Sequence, residues 1–330
     1  MSEYVAGVKA AAYTKTGGPE VLGYVDVPDP EVRPGGVIIE VEAVGIQGGD
    51  LLHRAGGVMV SKPHVVGYQA AGRIRELGSG VEGFVVGQPV VATMSHGSHA
   101  ELVSVPAWSV HALPDGLSVE HAAGVPIEFG TADDCLFEFG RLEPGESVLV
   151  QAGAGGVGLA AIQLAKTAGA GTMIATASSD DRLERLREYG MDHGINYVRE
   201  DVAERVRELT DRRGVDLVVD PVGGRTLETS IAALAYRGRV SWVGRAGREP
   251  APPEVWPLME KNASLTGVFL GAEMGHDPGR VRAMIERLLQ RVASGELRVV
   301  IDRVFPLADA EAAHAYIESR QAFGRVLLRP

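Results

Sequence analysis

The stretch Val148–Ala170, reading VLVQAGAGGVGLAAIQLAKTAGA, limits what this chain can fold into more than any other. Val148-Leu149-Val150 is a short apolar run of the kind that forms a buried parallel strand. Gly153, Gly155 and Gly158 then supply G-x-G-x-x-G, with Gly156 and Val157 between them, and Leu159–Lys166 open an alanine-rich helical pattern. In such a loop the first glycine permits a tight turn, the second lets backbone approach a pyrophosphate, and the third lets helix pack on strand. Free N–H groups at the helix start then face negative charge. With 43 glycines in 330 residues the bare pattern also arises by chance, so its context decides. Here it follows a predicted strand and opens a predicted helix, which points to a dinucleotide site over a ligand-free turn.

The rest of the chain arranges itself around this loop. From Gly130 to about Gly267, strand alternates with helix: Thr172–Ala177, Ile195–Tyr197, Val215–Val219, Arg239–Val243 and Ser264–Phe269 read as strands. Asp180–Tyr189, Val202–Thr210 and Thr226–Leu234 read as the helices between them. That rhythm predicts an α/β fold, a doubly wound parallel sheet of the Rossmann type. Residues 1–125 instead hold short strands at Val8–Tyr13, Val37–Val44, Ala70–Glu76, Gln88–Ala92 and Ala100–Val105, with glycine- and proline-rich turns, as a small barrel or sandwich does. The tail offers helix Pro278–Ala293, strand Val299–Phe305, helix Ala308–Ser319 and strand Gly324–Leu328. It resumes the first domain better than it extends the sheet. The expected division is therefore 1–129 with 268–330, and 130–267 for the dinucleotide-binding domain.

Composition narrows the partners. A net charge of −11 argues against nucleic acid, whose phosphates need a basic surface. The single cysteine, Cys135, excludes an intrachain disulfide and a cysteine-based zinc cluster, and suits a reducing, cytoplasmic setting. Residues 1–20 carry no apolar run fit for a leader, and no segment approaches the ~18 uninterrupted apolar residues of a membrane span.

Seven segments together resemble one family. They are Gly45–Asp50 (GIQGGD), Gly67–Gly72 (GYQAAG), the loop AGAGGVG, Ala175–Ser179 (ATASS), Ile195–Tyr197 (INY), Asp220–Gly224 (DPVGG) and Phe323–Leu328 (FGRVLL). They resemble the zinc-independent medium-chain dehydrogenase/reductases, in particular the NADPH:quinone oxidoreductases that include zeta-crystallin. The resemblance implies a GroES-like, mostly β catalytic domain, discontinuous in sequence, a Rossmann cofactor domain, a cleft between them and a homodimer. Zinc-dependent relatives place a cysteine ligand where Gln47 stands here, a histidine and its neighbouring glutamate at Tyr68 and Gln69, and a further cysteine near Ile127. Zinc takes His, Cys or carboxylate ligands, so no catalytic metal is expected. His53, His96 and His99 match no ligand spacing and read as loop or core histidines. Most zinc-free members also keep asparagine at the place of Gln47 and an acid at that of Gln69, so this chain departs from them at both.

The nicotinamide cofactor is read at the end of the second sheet strand. An NAD site sets a carboxylate there, roughly 20 residues past the glycine loop, for the ribose 2′-OH. Ala177 holds that position, followed by Ser178, Ser179 and Arg182. Hydroxyls and a guanidinium suit a 2′-phosphate, and Tyr197 matches a tyrosine of the family's NADPH site. NADPH is the expected cofactor, although Asp180 and Asp181 sit beside the proposed site. The plainer reading makes Ser178 and Ser179 helix caps and Arg182 a solvated charge. By resemblance, Thr131, Val222, Val243, Gly244, Phe269 and Leu270 line the nicotinamide pocket; Thr131 would serve equally as a helix cap, and Phe269 as apolar packing.

Without a metal to polarise a carbonyl, hydride must reach an acceptor already electron-poor, such as a quinone or an α,β-unsaturated carbonyl. Tyr68 is the best proton donor, with a packed tyrosine as the alternative. Gln47 suits a substrate oxygen or the nicotinamide amide, or is structural, and His53 is a lesser acid candidate. The expected activity is NADPH-dependent quinone reduction, with enone or enoyl-thioester reduction next, including a biosynthetic tailoring role. An NADPH-responsive regulatory or RNA-binding protein is the reading from outside enzymes.

Overall fold

The computed structural model describes residues 7–330. The expectation that residues 1–20 hold no leader therefore falls in part on residues 1–6, outside the described residues. Contacts gather the chain into two units, Glu128–Pro278 and the residues up to Ile127 with Gly279–Pro330.

The first of these units is built on six parallel strands: β1 (Ser147–Val150), β2 (Thr172–Ala177), β3 (His193–Asn196), β4 (Val215–Asp220), β5 (Leu234–Trp242) and β6 (Ser264–Gly267). Their order is β3-β2-β1-β4-β5-β6, so the chain reverses direction across the sheet between β1 and β4. All four residues of β1 are buried, which a strand covered by helices on both faces requires. Leu149, Ile174, Val218 and Val240 from neighbouring strands share one core with Leu227 and Ile231 of the helix Arg225–Ala233. The helix after β1 runs over Gly156–Thr167, three residues earlier than its alanine-rich pattern suggests. Gly158 therefore lies inside it, and every residue from Gly158 to Ala165 is buried.

Other boundaries shift for identifiable reasons. β3 stops at Asn196, whose N–H donates to Glu200 Oε1, so Tyr197 lies beyond the strand. β6 ends at Gly267, and Phe269 precedes a helix, Leu270–His276, in place of closing a strand. Residues 268–278 group with the sheet unit, where the sequence reading set them in the other: Val268 N–H donates to Trp242 O, carrying on the β5–β6 pairing. The helix Pro126–Asp133 continues through a wider turn, Asp134–Glu138. Its residues from Glu128 to Leu136 are buried without interruption, so it shows no amphipathic stripe.

In the other unit the ten-residue strand Gly36–Gly45 is the hub. One edge pairs with Gln69–Leu77. The opposite edge is shared, Gly36–Glu40 pairing with Leu102–Pro106 and Val44–Gly45 with Leu327–Leu328 of the terminal strand Arg325–Arg329. That shared edge is how the tail rejoins the unit. Ile301–Pro306 lies outside Arg325–Arg329, while Pro89–Thr93 and Val110–Ala112 complete the sheet beyond Gln69–Leu77. A second sheet sets Val8–Tyr13 between Gly23–Val27 and His64–Val65.

The helix Gly48–Gly56 follows the hub strand and is pinned by Arg54, a fully buried arginine. Its guanidinium donates to Glu318 Oε1 at 2.6 Å, to His314 Nδ1 at 3.1 Å and to Gly17 O at 3.2 Å. A buried charge demands such full pairing, and the helix is thereby tied to the C-terminal helix Ala310–Glu318.

Candidate active site

The glycine loop is built by two close fits and one open position. A Cβ on Gly153 would meet Ala175 Cβ at 2.9 Å, and one on Gly158 would meet Ala152 O at 2.4 Å and Gly153 Cα at 2.7 Å. These two glycines let protein pack on protein. Gly155 differs: it is exposed, and its Cβ would meet only Ala152 O, at 3.4 Å. Its bare backbone stands beside the first turn of Gly156–Thr167, where Gly156 and Val157 are partly exposed. An open glycine edge with unpaired helix N–H groups fits a pyrophosphate.

A hydrogen-bond chain that pattern reading did not single out holds this loop to the next. Asp220, at the end of β4, accepts from Val222 N–H (2.8 Å), Gly223 N–H (2.9 Å) and Ser230 Oγ (2.8 Å). Ser230 Oγ accepts from Gln151 Nε2, Gln151 Oε1 accepts from Thr176 Oγ1, and Thr176 Oγ1 accepts from Ala152 N–H. The ends of β4, β1 and β2 are thus locked together through buried side chains. Burial pushes the Asp220 carboxyl up, and its three donors pull the other way. Ala152 holds φ 52°, a left-handed conformation that costs a residue with a Cβ about 1–2 kcal/mol; the bond to Thr176 secures it. Only the DPVGG spelling hinted at this network.

β2 ends in Ala177, buried and without a carboxylate, and Ser178, Ser179 and Arg182 follow, all partly exposed. Ser179 caps the helix Asp180–Leu186, its Oγ accepting from Arg182 N–H at 3.4 Å. Asp180 is drawn aside: its Oδ1 accepts from Arg199 Nη2 at 2.6 Å and from Asn196 Nδ2 at 3.0 Å. Its charge is thus neutralised by a partner, which removes one objection to an anion beside Ser178. Tyr197 is 44% exposed. Val222 follows Asp220, Val243 N–H donates to Asp220 O, and Gly244 O accepts from Trp242 Nε1. Phe269 is 73% exposed and Leu270 buried. Thr131 is buried in mid-helix in Pro126–Asp133, so it does not cap a helix.

In the other unit, Tyr68, His53 and Gln47 gather around the helix Gly48–Gly56. Gln47 precedes it, buried, with its N–H donating to Asp50 Oδ2 at 2.7 Å and its Nε2 reaching Gly45 O at 3.4 Å. The Tyr68 ring lies on the first turn, so close that a Cβ on Gly49 would meet its Cε2 at 2.6 Å. Tyr68 Oη is 3.3 Å from His53 Nδ1 and 3.5 Å from Gly49 O, and His53 Nε2 is 2.7 Å from Val58 O. His53 stacks on His64 (centroids 5.0 Å apart), His64 on His96 (5.6 Å), and Tyr13 meets the edge of His64 (5.3 Å). His64 and Tyr13 are buried, and neither ring nitrogen of His64 nor Tyr13 Oη has a partner among the described residues. Burial, then the charges of His53 and His96, brings His64 down to about 4; burial, then Asp50, pushes Tyr68 up to about 12. His99 belongs elsewhere, its Nε2 bonded to His314 Nε2 at 3.1 Å. Sequence spacing gave no sign of His64 or Tyr13 in this cluster.

Of the four positions at which the resemblance places zinc ligands or their neighbour in dehydrogenase relatives, two are joined to each other. Gln69 Oε1 accepts from Ile127 N–H at 3.0 Å. Cys135 is buried, and burial pushes its thiol up. Among the described residues no group of three or more His, Cys, Asp or Glu side chains is arranged to hold a metal ion, and no helix is long and apolar enough to cross a membrane.

Comparison with known proteins assigns the family. Residues 33–115 match the alcohol dehydrogenase GroES-like domain, and residues 156–291 the domain described as zinc-binding dehydrogenase. Over 98% of its length the chain is 35% identical to a quinone oxidoreductase of Pseudomonas aeruginosa, covering 99% of that protein. The chain belongs to the quinone oxidoreductase family of the medium-chain dehydrogenase/reductases. A 2-haloacrylate reductase of Burkholderia is 34% identical, with 98% of this chain and 99% of that protein covered. The crystal structure of Escherichia coli quinone oxidoreductase complexed with NADPH superposes with a TM-score of 0.91 at 30% identity, covering 98% of this chain and all of the other. The parallel-sheet unit and the GroES-like unit are those of that family, and the chain is an oxidoreductase.

Proposed function

We propose that this protein is an NADPH-dependent, zinc-independent reductase of small electron-poor carbonyl compounds, quinones or α,β-unsaturated carbonyls. The observation that carries the cofactor is the end of β2: Ala177 offers no carboxylate for a ribose 2′-OH, Ser178 and Arg182 follow it, and Arg199 draws Asp180 away. The E. coli relative complexed with NADPH supports the same choice. Gly155, Gly156, Val157 and Gly158 would hold the pyrophosphate through backbone N–H groups, with Gly153 shaping the turn. Ser178, Ser179, Arg182 and Tyr197 would take the 2′-phosphate end, and Thr131, Val222, Val243, Gly244, Phe269 and Leu270 the nicotinamide end. The bound cofactor supplies a hydride; the protein orients it, excludes water and moves the accompanying proton.

Zinc independence rests on side-chain chemistry. Gln47, Tyr68, Gln69 and Ile127 replace the ligand positions, Gln69 is bonded to the Ile127 backbone, and the one cysteine holds its proton. Tyr68 is assigned as proton donor and Gln47 as a polar contact for the acceptor. The Burkholderia relative's name and the Tyr68–His53 contact favour an activated alkene as a second reading, because a reduced alkene needs a proton at carbon, whereas a quinone's oxygens take theirs from water. We also assign a cytoplasmic setting and a homodimer. Edge strand β6 and the exposed Tyr236, Trp256, Met259 and Phe269 favour the latter. The deciding experiment follows NADPH oxidation over a panel of quinones, short enones, 2-haloacrylates and enoyl-thioesters, with NADH alongside. Turnover of none of these, or equal use of NADH, would overturn the proposal.

A further inference from the structure

We infer that His53 sets the direction of the Tyr68 proton and replaces it, so that the two residues act as one acid toward the reduced acceptor. This rests on Tyr68 being the proton donor.

Val58 O can only accept a hydrogen bond. It lies 2.7 Å from His53 Nε2, so that nitrogen carries a hydrogen. In neutral His53 the other nitrogen, Nδ1, is then bare and can only accept. Its neighbour at 3.3 Å is Tyr68 Oη, so the phenol donates its single hydrogen to His53. In that state Tyr68 presents lone pairs to an acceptor and has nothing to give it. Adding a proton to His53 reverses the bond. Nδ1–H then donates to Tyr68 Oη, and the phenol hydrogen is released toward substrate, or toward Gly49 O at 3.5 Å when none is bound. The donating form of the pair thus carries one more proton than the resting form.

The proton balance follows. As hydride adds to the β-carbon of an enone, the α-carbon takes the phenol proton and Tyr68 takes the Nδ1 proton. Neutral His53 remains, to be reprotonated from water through its partly exposed ring. Tyr68 never persists as phenolate. That matters because burial and Asp50 push the phenol up to about 12, so a tyrosine giving up its proton unaided would leave a poorly stabilised anion. The groups facing His53 suit the role. His64, stacked 5.0 Å away, is brought down to about 4, and His96 is lowered too, so neither competes as a cation near neutral pH. Asp50, one turn earlier on the same helix, is the acidic neighbour, and Arg54 is engaged by Glu318 and His314.

The test combines a measurement on the wild-type protein with two variants. Nitrogen-15 NMR of histidine-labelled protein at alkaline pH should show His53 protonated at Nε2 and bare at Nδ1; the opposite tautomer overturns the inference. That result decides even if a variant fails to fold. His53→Gln should lower turnover of a short enone by ~10²-fold, flatten its pH–rate profile and reduce its solvent isotope effect, with NADPH affinity unchanged. Tyr68→Phe should lose a similar factor, and the double variant little more, as residues acting as a unit do. If Tyr68→Phe loses turnover while His53→Gln keeps rate, pH profile and isotope effect within about twofold of wild type, His53 has no such role and Tyr68 remains the donor. If Tyr68→Phe itself stays within about twofold, the donor assignment falls and this inference with it.

Discussion

Gly155 and Gly158 stand three positions apart in one motif, yet their surroundings predict opposite consequences for the same substitution. Gly158→Ala gains about 0.8–1 kcal/mol of helix propensity. Its new methyl, however, would sit 2.4 Å from Ala152 O and 2.7 Å from Gly153 Cα, both backbone atoms that cannot swing aside. Overpacking of that kind costs about 1–3 kcal/mol, so a net loss of up to about 2 kcal/mol is expected. Gly155 has φ −82° and ψ 171°, open to any residue, and its methyl would meet nothing nearer than Ala152 O at 3.4 Å. Losing glycine as helix cap is offset by the stiffer unfolded chain, leaving stability within about 0.5 kcal/mol of wild type. The methyl would stand where the pyrophosphate approaches, so NADPH affinity should fall at least about tenfold, or about 1.4 kcal/mol. Urea unfolding of the apo-protein measures the first quantity and NADPH fluorescence titration the second. Gly155→Ala unfolding as easily as Gly158→Ala, or binding NADPH with wild-type affinity, would refute these roles.

Further consequences can be measured independently. Arg182→Ala should weaken NADPH about tenfold and leave NADH nearly unchanged, about the loss of one charge-assisted contact; titrations that move in parallel for both cofactors would contradict the assignment. The buried pair His99 and His314 should make the fold acid-sensitive. Burial lowers His99 to about 3 and, with the charges of His99 and Arg54, holds His314 well below its usual value. Both folded-state values lie below the unfolded ~6.5, so their stabilisation is present above that pH and drains away below it; for His99 alone the loss is about 2 kcal/mol between about pH 7 and about pH 5. Urea unfolding at both pH values tests this: a His99→Gln/His314→Gln variant should lose at least about 2 kcal/mol less than wild type over that interval, and an equal loss would refute it. Elemental analysis should find no stoichiometric zinc, with activity intact in chelator; one zinc per chain would undo the reading of Gln47, Tyr68, Gln69 and Ile127.

The sheet was legible because its signals are local. A glycine loop, apolar runs such as Val148–Val150 and a helix capped by Ser179 all declare themselves within a few residues. Elements without a local signature were not. The helix Pro126–Asp133 is wrapped by protein on every side and so has no polar face to reveal its period. The short helix Leu270–His276 has no such signature, and Phe269 before it reads as the end of a strand because it is apolar, though it is exposed. The bond from His99 to His314 joins residues 215 apart, and no spacing rule reaches that far.

The same distinction separates cofactor recognition from proton delivery. Cofactor recognition depends on backbone and on what a strand end lacks, and both can be read as motif: a glycine that must be bare, an Ala177 where a carboxylate would stand. Proton delivery depends on which atom of a ring faces which oxygen. The identity of Tyr68 says only that a phenol is present; whether its hydrogen is offered or withheld turns on His53, on Val58 O, and on the closeness Gly49 allows. The Burkholderia and Pseudomonas relatives are each about a third identical to this chain and carry the names of reductases of different compounds. If the cofactor-binding residues chose the acceptor, the glycine loop and strand ends would have to encode that choice, yet Gly153 and Gly158 are fixed by contacts within the protein. The acceptor is more economically chosen by side chains free to vary around the helix Gly48–Gly56 and the exposed Val58 and Val60 beyond it. Exchanging Val58 and Val60 for polar residues should accordingly change which acceptors turn over while NADPH affinity stays as it is.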